Sequence, residues 1–269
     1  MLGYSQTGHP RGGGRLKTTK KGSKNFECDL YSFDPKKENV ITPKGFGPIA
    51  LCNVVYKIIS KVIANRLKPL LPSLISKEQT GYVARRQILN NIIQVHEVVH
   101  SLKSSKQAGL IIQLDLAKAY DKLNWSYIRA ILKAFGFNQN WIRWVMALVI
   151  STSFSILLNG APSTTFIPSR GLRQGDPLSP FLFVLMMEGL GRAIKMTNVE
   201  GRIQGMKLTP DGEANTHQQF MDDTMLQGVP IVKEARAIKE ILNDFTMAAG
   251  TELSQNKSNF FFFNTNIAL

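Results

Sequence analysis

Apolar residues recur every three or four positions in six stretches of the chain, which is the period of an amphipathic helix. These stretches are 54–67, 79–102, 125–135, 141–150, 180–196 and 232–249. In the second stretch, Ile88, Ile92, Val95, Val99 and Leu102 predict a continuous buried stripe. The fourth is apolar on most of its faces, so we expect it to be well buried. Residues 69–75 are predicted to form a turn-rich link.

Shorter apolar runs bounded by Gly, Pro, Asn or Asp predict strands between these helices. They lie at 109–116, 154–158, 163–167, 203–208, 216–226 and 257–263. Asn159-Gly160 has the composition of a hairpin turn between the second and third of these runs. The last run is predicted to be a buried or an edge strand. Strands that carry helices on one face indicate the α+β class.

Charge adds a candidate partner to this picture. The 269 residues, of which 43% are hydrophobic, are enough for one large domain or two lobes. They include 33 Lys and Arg against 19 Asp and Glu, a formal net charge of +14. Such an excess is common in proteins that bind nucleic acid, although a soluble basic protein without that partner remains an alternative.

Cysteine usage and hydropathy point to the cell interior. Cys28 and Cys52 have the spacing of neither a zinc site nor a disulfide framework. The chain contains no signal-peptide pattern and no apolar run long enough to span a bilayer. We therefore expect a soluble intracellular protein without a membrane partner.

Residues 1–28 are rich in Gly, Lys and Arg and contain little that a core would bury. We predict that they form a disordered basic N-terminal arm. Two interpretations of this arm stay open. It holds a phosphate backbone without sequence preference, or it is unrelated sequence from a broken reading frame.

Two acidic motifs at predicted strand ends carry the candidate chemistry. Asp222 and Asp223 lie at the tip of a predicted hairpin, where adjacent like charges repel each other. Asp115 lies near the end of the 109–116 strand, where a buried carboxylate is rare unless it is paired or bound to metal. An isolated Asp-Asp pair is typical of a solvated turn. Because a sheet can join both strand ends, we predict a two-metal phosphoryl-transfer site with ions about 4 Å apart.

Four motifs, in order along the chain, resemble the reverse transcriptases of non-LTR retrotransposons. Residues 220–223 read FMDD and resemble the YxDD box, and residues 114–121, LDLAKAYD, resemble the first catalytic aspartate motif. Residues 170–183, RGLRQGDPLSPFLF, are similar to the RGxRQGxPLSPxLF box. Residues 48–67 and 79–86 resemble plant LINE-type elements in particular. The chain is identified as a fragmentary copy of such a reverse transcriptase domain.

This resemblance implies a right-hand polymerase palm, an antiparallel sheet packed on helices, with fingers and without a thumb. It divides the chain into fingers at 29–105 and palm at 106–269, with a fingers insertion near 151–180. The implied activity is that of an RNA-directed DNA polymerase, a nucleotidyltransferase that uses two Mg²⁺ or Mn²⁺ ions. The implied partners are an RNA template, a DNA primer and dNTPs, and a partner chain that supplies a thumb stays open. A retroelement origin points to the nucleus.

The resemblance also implies roles for individual residues. Asp115 and Asp222 are expected to bind both ions, with Asp223 in support and the Leu116 carbonyl as an extra ligand, whereas Asp121 serves structure. The expected nucleotide contacts are Tyr120, which would exclude a 2′-hydroxyl, Gln174, Gly175 and Lys257. The expected nucleic-acid contacts are Lys57, Lys61, Arg66, Arg86, Arg170 and Arg173. An ordinary core role is the alternative for Tyr120, and a solvated helix face is the alternative for any one of the helix lysines.

Two departures from the family pattern bear on activity. Gly47 replaces the arginine of F-R-P-I that grips the triphosphate, and losing a charge-assisted phosphate contact costs ~1.5–3 kcal/mol. Residues 81–86 keep the final arginine of G-F-x-P-G-R but lack its Pro-Gly turn. The sequence therefore favours a reverse transcriptase domain and leaves one alternative, a catalytically impaired retroelement remnant that at most binds nucleic acid.

Overall fold

A computed structural model describes residues 29–35, 46–158, 161–209 and 212–265, with side chains except at 32–35, 46–48 and 158. The predicted N-terminal arm and the Asn159-Gly160 turn lie outside these residues. Within the described part of the chain, every helix is too short or too polar to cross a membrane.

Helices and strands are mixed along the described residues, as the α+β class requires. The helices are α1 Val54–Leu67, α2 Leu71–Leu74, α3 Ile88–Ser105, α4 Ala119–Lys122, α5 Trp125–Ala134, α6 Gln139–Ile150, α7 Ser179–Val199 and α8 Val232–Ala249. The strands are β1 Asp29–Pro35, β2 Phe46–Leu51, β3 Gly109–Leu114, β4 Phe154–Leu158, β5 Ala161–Pro162, β6 Met206–Lys207, β7 Ala214–Asn215, β8 His217–Phe220, β9 Asp223–Gly228 and β10 Asn259–Phe263.

Most of these strands belong to two four-stranded sheets. The first has the order β2-β1-β4-β5, in which β1 pairs antiparallel with β2 and parallel with β4. The second has the order β10-β3-β9-β8 and is antiparallel throughout. The short strands β6 and β7 pair separately. The first sheet joins residues that are distant in sequence, because β1 pairs with β4 and β4 pairs with β5. The assignment of these two sheets to fingers and palm stays a prediction.

Helix α7 is the centre of the main core. Leu182, Phe183 and Leu185 are at most 1% exposed, and buried positions continue around most of the helix. A helix that is apolar on all sides is one that other elements surround, and α7 contacts α5, α8 and β8. Strand β3 alternates between two environments, because Ile112 packs in this core and Ile111 packs against α3 on the other face.

The prediction for residues 79–102 was wrong in its start and in its buried face. Helix α3 begins at Ile88, and its buried positions are Asn91, Val98 and Leu102. Ile88 and Ile92, which belong to the predicted stripe, are 46% and 44% exposed. The apolar spacing was compatible with a buried face, but the face that the sheet covers is rotated around the helix from the predicted one and is centred on Asn91, Val98 and Leu102.

Residues 79–86 form turns and a strand-like contact because β8 offers them hydrogen bonds. Gln79 forms a parallel bridge with Gln219, and Thr80 N donates to Gln219 O at 3.0 Å. Arg85 has a φ of +65° at the position where the family pattern has Gly. A non-glycine residue therefore adopts a left-handed conformation at this position.

Other element boundaries also differ from the predictions. The turn-rich link predicted at 69–75 consists of a 3-10 turn and the short helix α2. The return strand β5 is shorter and earlier than 163–167, where Phe166 bridges Phe154. Helix α6 buries one face only, since Trp144 is 56% exposed. The 203–208 run contains only the two-residue strand β6, and β10 is an edge strand.

Glu188 of α7 fixes the segment that leads into Gln79. This residue is 1% exposed, and its carboxylate accepts hydrogen bonds from Ser76 N at 3.0 Å and from Ser76 Oγ at 2.9 Å. Its other oxygen lies 3.1 Å from Arg192 Nε. Buried carboxylates are retained only when their oxygens are satisfied in this way. Helix α7 therefore determines the position of the chain that borders β8.

Replacing Glu188 with Ala is expected to lower the free energy of unfolding by about 3 kcal/mol, because both Ser76 donors lose a buried acceptor. Such a loss corresponds to a fall in Tm of roughly 6–12 °C for a domain of this size. Thermal unfolding by circular dichroism measures it. The control is Glu240→Ala, which removes an exposed ion pair with Arg202 and should cost less than about 1 kcal/mol. Equal falls in both variants would contradict the role of Glu188.

Candidate active site

The hairpin of β8 and β9 carries two adjacent carboxylates at its tip. Phe220 pairs with Asp223, so Met221 and Asp222 form the turn between the strands. Met221 has a left-handed φ of +57° and is 9% exposed, with its side chain in the main core. The buried methionine anchors the turn and leaves both aspartates at the end of the sheet.

Strand β3 brings Asp115 to the same end of this sheet. Leu114 pairs with Thr224, so Asp115 follows β3 directly beside the hairpin tip. The segment after α8 holds the aspartate in place, because Ser254 N donates to Asp115 O at 2.8 Å. From the same segment, Lys257 Nζ lies 3.2 Å from Asp115 Oδ2.

The carboxylates of this site repel one another in a partly buried environment. Burial raises the pKa of Asp222, and the negative charges of Asp223 and Asp115 raise it further. Burial and the charge of Asp115 also raise the pKa of Asp223, whereas Lys257 lowers both pKa values. The site therefore holds more negative charge than Lys257 offsets, and a divalent cation would relieve this excess.

The donor set fits Mg²⁺ or Mn²⁺, which prefer carboxylate and carbonyl oxygens. Among the described residues, no three His, Cys, Asp or Glu side chains are grouped closely enough to hold a metal by themselves. Mg²⁺ at nucleotide sites takes one or two carboxylates and completes its shell with phosphates and water. Asp115 and Asp222 suit such an ion. Leu116, whose carbonyl is the predicted extra ligand, follows Asp115 and bridges Leu253.

Tyr120 lies beside these carboxylates on α4. Its ring stacks on Phe183 of α7 with centroids 4.6 Å apart and planes within 8° of parallel. Burial raises the pKa of Tyr120, and the nearby Tyr82 and Asp222 add to the rise. The hydroxyl is therefore neutral at physiological pH. The stacked ring lies next to the carboxylate site, and its predicted contact with a nucleotide stays a prediction.

The 170–178 loop connects α4 with the first sheet. Gly171 N donates to Leu123 O and Leu172 N to Tyr120 O, both at 2.7 Å. Ala50 N of β2 donates to Gln174 O at 2.9 Å. Gly175 has a φ of +101°, and a Cβ there would lie 3.1 Å from Ala50 O. The positive φ favours glycine here, and the close approach of β2 adds a second reason besides the predicted approach of a nucleotide.

Arg173 is not available to nucleic acid, contrary to the prediction. It is 7% exposed, its Nε lies 3.1 Å from Asp29 Oδ2, and its guanidinium lies 3.8 Å from the ring centroid of Tyr56. A buried charge requires such partners. Arg173 therefore joins the loop to β1 and α1.

Arg86 also has a structural position rather than the predicted nucleic-acid contact. Its guanidinium donates to the carbonyl oxygens of Gln79 at 2.8 Å, Ile75 at 2.9 Å and Pro72 at 3.2 Å, and also to that of Ser76. These acceptors use the donors that a phosphate would need. Arg86 therefore fixes the same segment that Glu188 holds.

The remaining predicted nucleic-acid contacts lie at or near the surface. Lys61 and Arg66 are exposed on α1, and Lys57 on the same helix is half-buried. Arg170 is exposed at the mouth of a cavity of about 290 Å³ between the 170–178 loop and the first sheet. These four cations therefore keep solvent access.

Sequence reasoning missed two buried polar residues that support the site. Asp176 accepts hydrogen bonds from Ser179 N at 2.9 Å and Ser179 Oγ at 2.8 Å, and Ser60 Oγ of α1 also donates to it. An Asp shortly before Ser-Pro at a helix start is a signal that could have found it. Gln79 contacts the Met221 backbone through its amide, and no local pattern indicates that long-range contact.

Comparison with known proteins agrees with this geometry. A family model described as reverse transcriptase (RNA-dependent DNA polymerase) matches residues 35–267. The chain is 26% identical to the 149 kDa protein of transposon TX1 from Xenopus laevis over 89% of this chain and 18% of that protein. It is 30% identical to the Pol polyprotein of the type-2 retrotransposable element R2DM from Drosophila melanogaster over 60% of this chain and 15% of that protein. It therefore spans less than a fifth of either relative.

Solved structures with the same fold include telomerases. Apo telomerase from Candida tropicalis is similar with a TM-score of 0.60 and 12% identity, over 91% of this chain and 46% of that chain. A form truncated from its C-terminal domain gives a TM-score of 0.59 at 13% identity, over 89% and 51%. The predicted polymerase fold is confirmed. The chain belongs to the reverse transcriptase family of RNA-dependent DNA polymerases, and proteins of non-LTR retrotransposons are among its relatives.

Proposed function

We propose that this chain is a catalytic polymerase core that copies RNA into DNA by joining dNTPs to a primer 3′-hydroxyl. The observation that carries the proposal is the meeting of Asp115 with the Asp222–Asp223 hairpin tip at one sheet end. Burial is the largest cause of the raised pKa values of Asp222 and Asp223, and repulsion among these carboxylates raises both values further. Such a cluster is unfavourable in a protein that never binds a cation there.

Asp115 and Asp222 would hold the two ions, with Asp223 and the Leu116 carbonyl in support. A bound pair of Mg²⁺ or Mn²⁺ ions supplies Lewis acidity toward the 3′-hydroxyl and the triphosphate. The 3′-hydroxyl gives up its proton to water, its oxygen forms a bond to the α-phosphorus, the bond from that phosphorus to the bridging oxygen breaks, and pyrophosphate leaves. Lys257, 3.2 Å from Asp115 and largely exposed, is in position to neutralise or protonate that leaving group.

The groups around the carboxylates support binding of a deoxynucleotide. Tyr120, oriented by its stack on Phe183, would occupy the space of a 2′-hydroxyl and exclude ribonucleotides by steric conflict. Gln174 and Gly175 lie in the loop between Tyr120 and β2, where the incoming nucleotide would pack. Lys57, Lys61, Arg66 and Arg170 would contact the phosphates of the template and the primer.

We further propose that the β2-β1-β4-β5 sheet with α1 forms the fingers and the β10-β3-β9-β8 sheet with α7 and α8 forms the palm. A plant LINE-type origin is part of the same proposal. It is supported by 44% identity over 68 residues to the uncharacterised mitochondrial protein AtMg01250 of Arabidopsis thaliana, a match to 25% of this chain. The impaired-remnant alternative is favoured by one observation, Gly47 in strand β2.

Primer extension on poly(rA)/oligo(dT) with Mg²⁺ or Mn²⁺ tests the proposed activity. Asp222→Asn is expected to reduce extension roughly 1,000-fold or more, since several kcal/mol of transition-state charge stabilisation are lost with the metal ligand. The matched control is Asp244→Asn on the exposed side of α8, which should extend as the unchanged protein does. Equal extension by both variants would show that the Asp222 site does not carry the activity.

Gly47→Arg distinguishes an active polymerase from a catalytically impaired remnant. A restored phosphate contact is expected to lower the KM for dNTP by roughly 10- to 100-fold, measured in the same assay. Extension that arises only in this variant would assign the chain to the impaired class with an intact metal site. Absence of extension in all variants, with folding established by circular dichroism, would overturn the proposed activity.

Asp222→Asn is also expected to stabilise the metal-free protein. The pKa of Asp222 is raised in the folded state, so folding opposes its ionisation and stability falls as the pH rises through that range. At pH 7 in EDTA, removing the charge should raise Tm by roughly 2–4 °C, the shift that about 1 kcal/mol produces. The stability difference between Asp222→Asn and the unchanged protein should shrink as the pH falls. It should disappear below about pH 3.9, where Asp222 is protonated in both the folded and the unfolded state.

Thermal unfolding over a pH series measures this effect, with Asp244→Asn as the exposed control. Added Mn²⁺ should reverse the order, because it stabilises the protein that retains Asp222 more than the variant. The electrostatic account of the site would be contradicted if Asp222→Asn were less stable than the unchanged protein in EDTA at pH 7. It would also be contradicted if Mn²⁺ raised the Tm of Asp222→Asn as much as that of the unchanged protein.

A further inference from the structure

We propose that Gln79 is a positioning residue for the metal site, because its side-chain amide binds both backbone groups of Met221 in the turn that presents Asp222. The inference rests on the proposed function and adds a residue from outside the acidic motifs to it. Gln79 lies 142 positions away from Met221 in sequence. It does not touch substrate in this role, and it acts through the turn.

The Gln79 amide makes three hydrogen bonds, two of them to Met221. Gln79 is 0% exposed. Its Oε1 accepts hydrogen bonds from Met221 N at 3.1 Å and from Gly81 N at 2.8 Å, and its Nε2 donates to Met221 O at 3.2 Å. One amide thereby satisfies the donor and the acceptor of the residue that precedes Asp222, which would otherwise be buried polar groups without a partner.

Met221 needs this support because of its conformation. A non-glycine residue at a φ of +57° is strained by roughly 1 kcal/mol or more and persists where the surroundings determine it. The two hydrogen bonds from Gln79 are compatible with this one orientation of the Met221 peptide groups. Loss of the amide would allow the turn to relax, and the Asp222 carboxylate would move with it.

The segment around Gln79 is itself held against β8. Gln219 N donates to Glu78 O at 2.9 Å, and Thr80 N donates to Gln219 O at 3.0 Å. A Cβ at Gly81 would lie 2.8 Å from Met221 N, so glycine alone permits this approach. Glu188 holds Ser76, and Arg86 donates to the carbonyl oxygens of Ile75 and Gln79 itself. The amide is therefore delivered to the turn by a rigid segment, which is what a positioning role requires.

Gln79→Met tests the inference, because it keeps the volume of the side chain and removes the amide. Outer groups that orient metal ligands typically change metal affinity or activity 10- to 100-fold when lost. We expect Gln79→Met to raise the Kd for Mn²⁺, measured by electron paramagnetic resonance, by about 10-fold. The Mn²⁺ concentration for half-maximal primer extension should rise by a similar factor.

Gln227→Met is the matched control. Gln227 is 1% exposed in β9 of the same sheet, and its amide has no hydrogen-bond partner among the described residues. Removing that amide should leave both Mn²⁺ readouts unchanged.

The outcomes separate the inference from the proposed function. Circular dichroism and Tm show whether each variant is folded. A folded Gln79→Met that binds Mn²⁺ as the unchanged protein does, or a Gln227→Met that loses as much affinity, would overturn the positioning role and leave the metal site standing. If the unchanged protein and Asp115→Asn bind Mn²⁺ equally weakly, the metal site and the positioning role are both wrong.

Discussion

Mutual repulsion of carboxylates at one sheet end is the constraint around which this protein is organised. Asp115 and the Asp222–Asp223 pair come from strands far apart in sequence, and burial together with neighbouring charge raises the pKa values of both hairpin aspartates. Left free, such a cluster would separate or take up protons. The fold prevents separation through the antiparallel ladder of β3 and β9 and through the buried side chain of Met221.

Buried polar residues make that arrangement rigid, and they form two groups. Glu188 and Arg86 fix the segment at 76–86, and Gln79 in this segment holds the turn before Asp222. Asp176 and Arg173 fix the other border of the site by joining the 170–178 loop to α1 and β1. Glu188, Arg86, Gln79 and Asp176 each make several hydrogen bonds, whereas Arg173 is held by its ion pair with Asp29 and its contact with the Tyr56 ring.

Several basic motif residues have structural positions that composition did not indicate. Arg86 and Arg173 belong to motifs that resemble reverse transcriptases, and a net charge of +14 makes any arginine a candidate for phosphate. Their guanidinium groups are occupied instead by backbone carbonyls or by Asp29 and Tyr56. Lys61, Arg66 and Arg170 retain solvent access. Charge counting does not distinguish these two groups, because burial depends on contacts between distant segments.

Local patterns were sufficient for the elements and for the acidic residues. Helices α1, α5, α7 and α8 and the strands β3, β8 and β9, whose ends present Asp115 and Asp222, follow from periodicity and turn chemistry within each segment, since both depend on neighbours in sequence. The start of α3, its displaced buried face and the pairing of β4 with β1 depended on packing between segments. The contacts of Gln79, Arg86 and Arg173 also depended on packing between segments. Hydrogen bonds across 142 positions, such as those of Gln79 with Met221, leave no periodic trace in a sequence, so only the folded chain determines them.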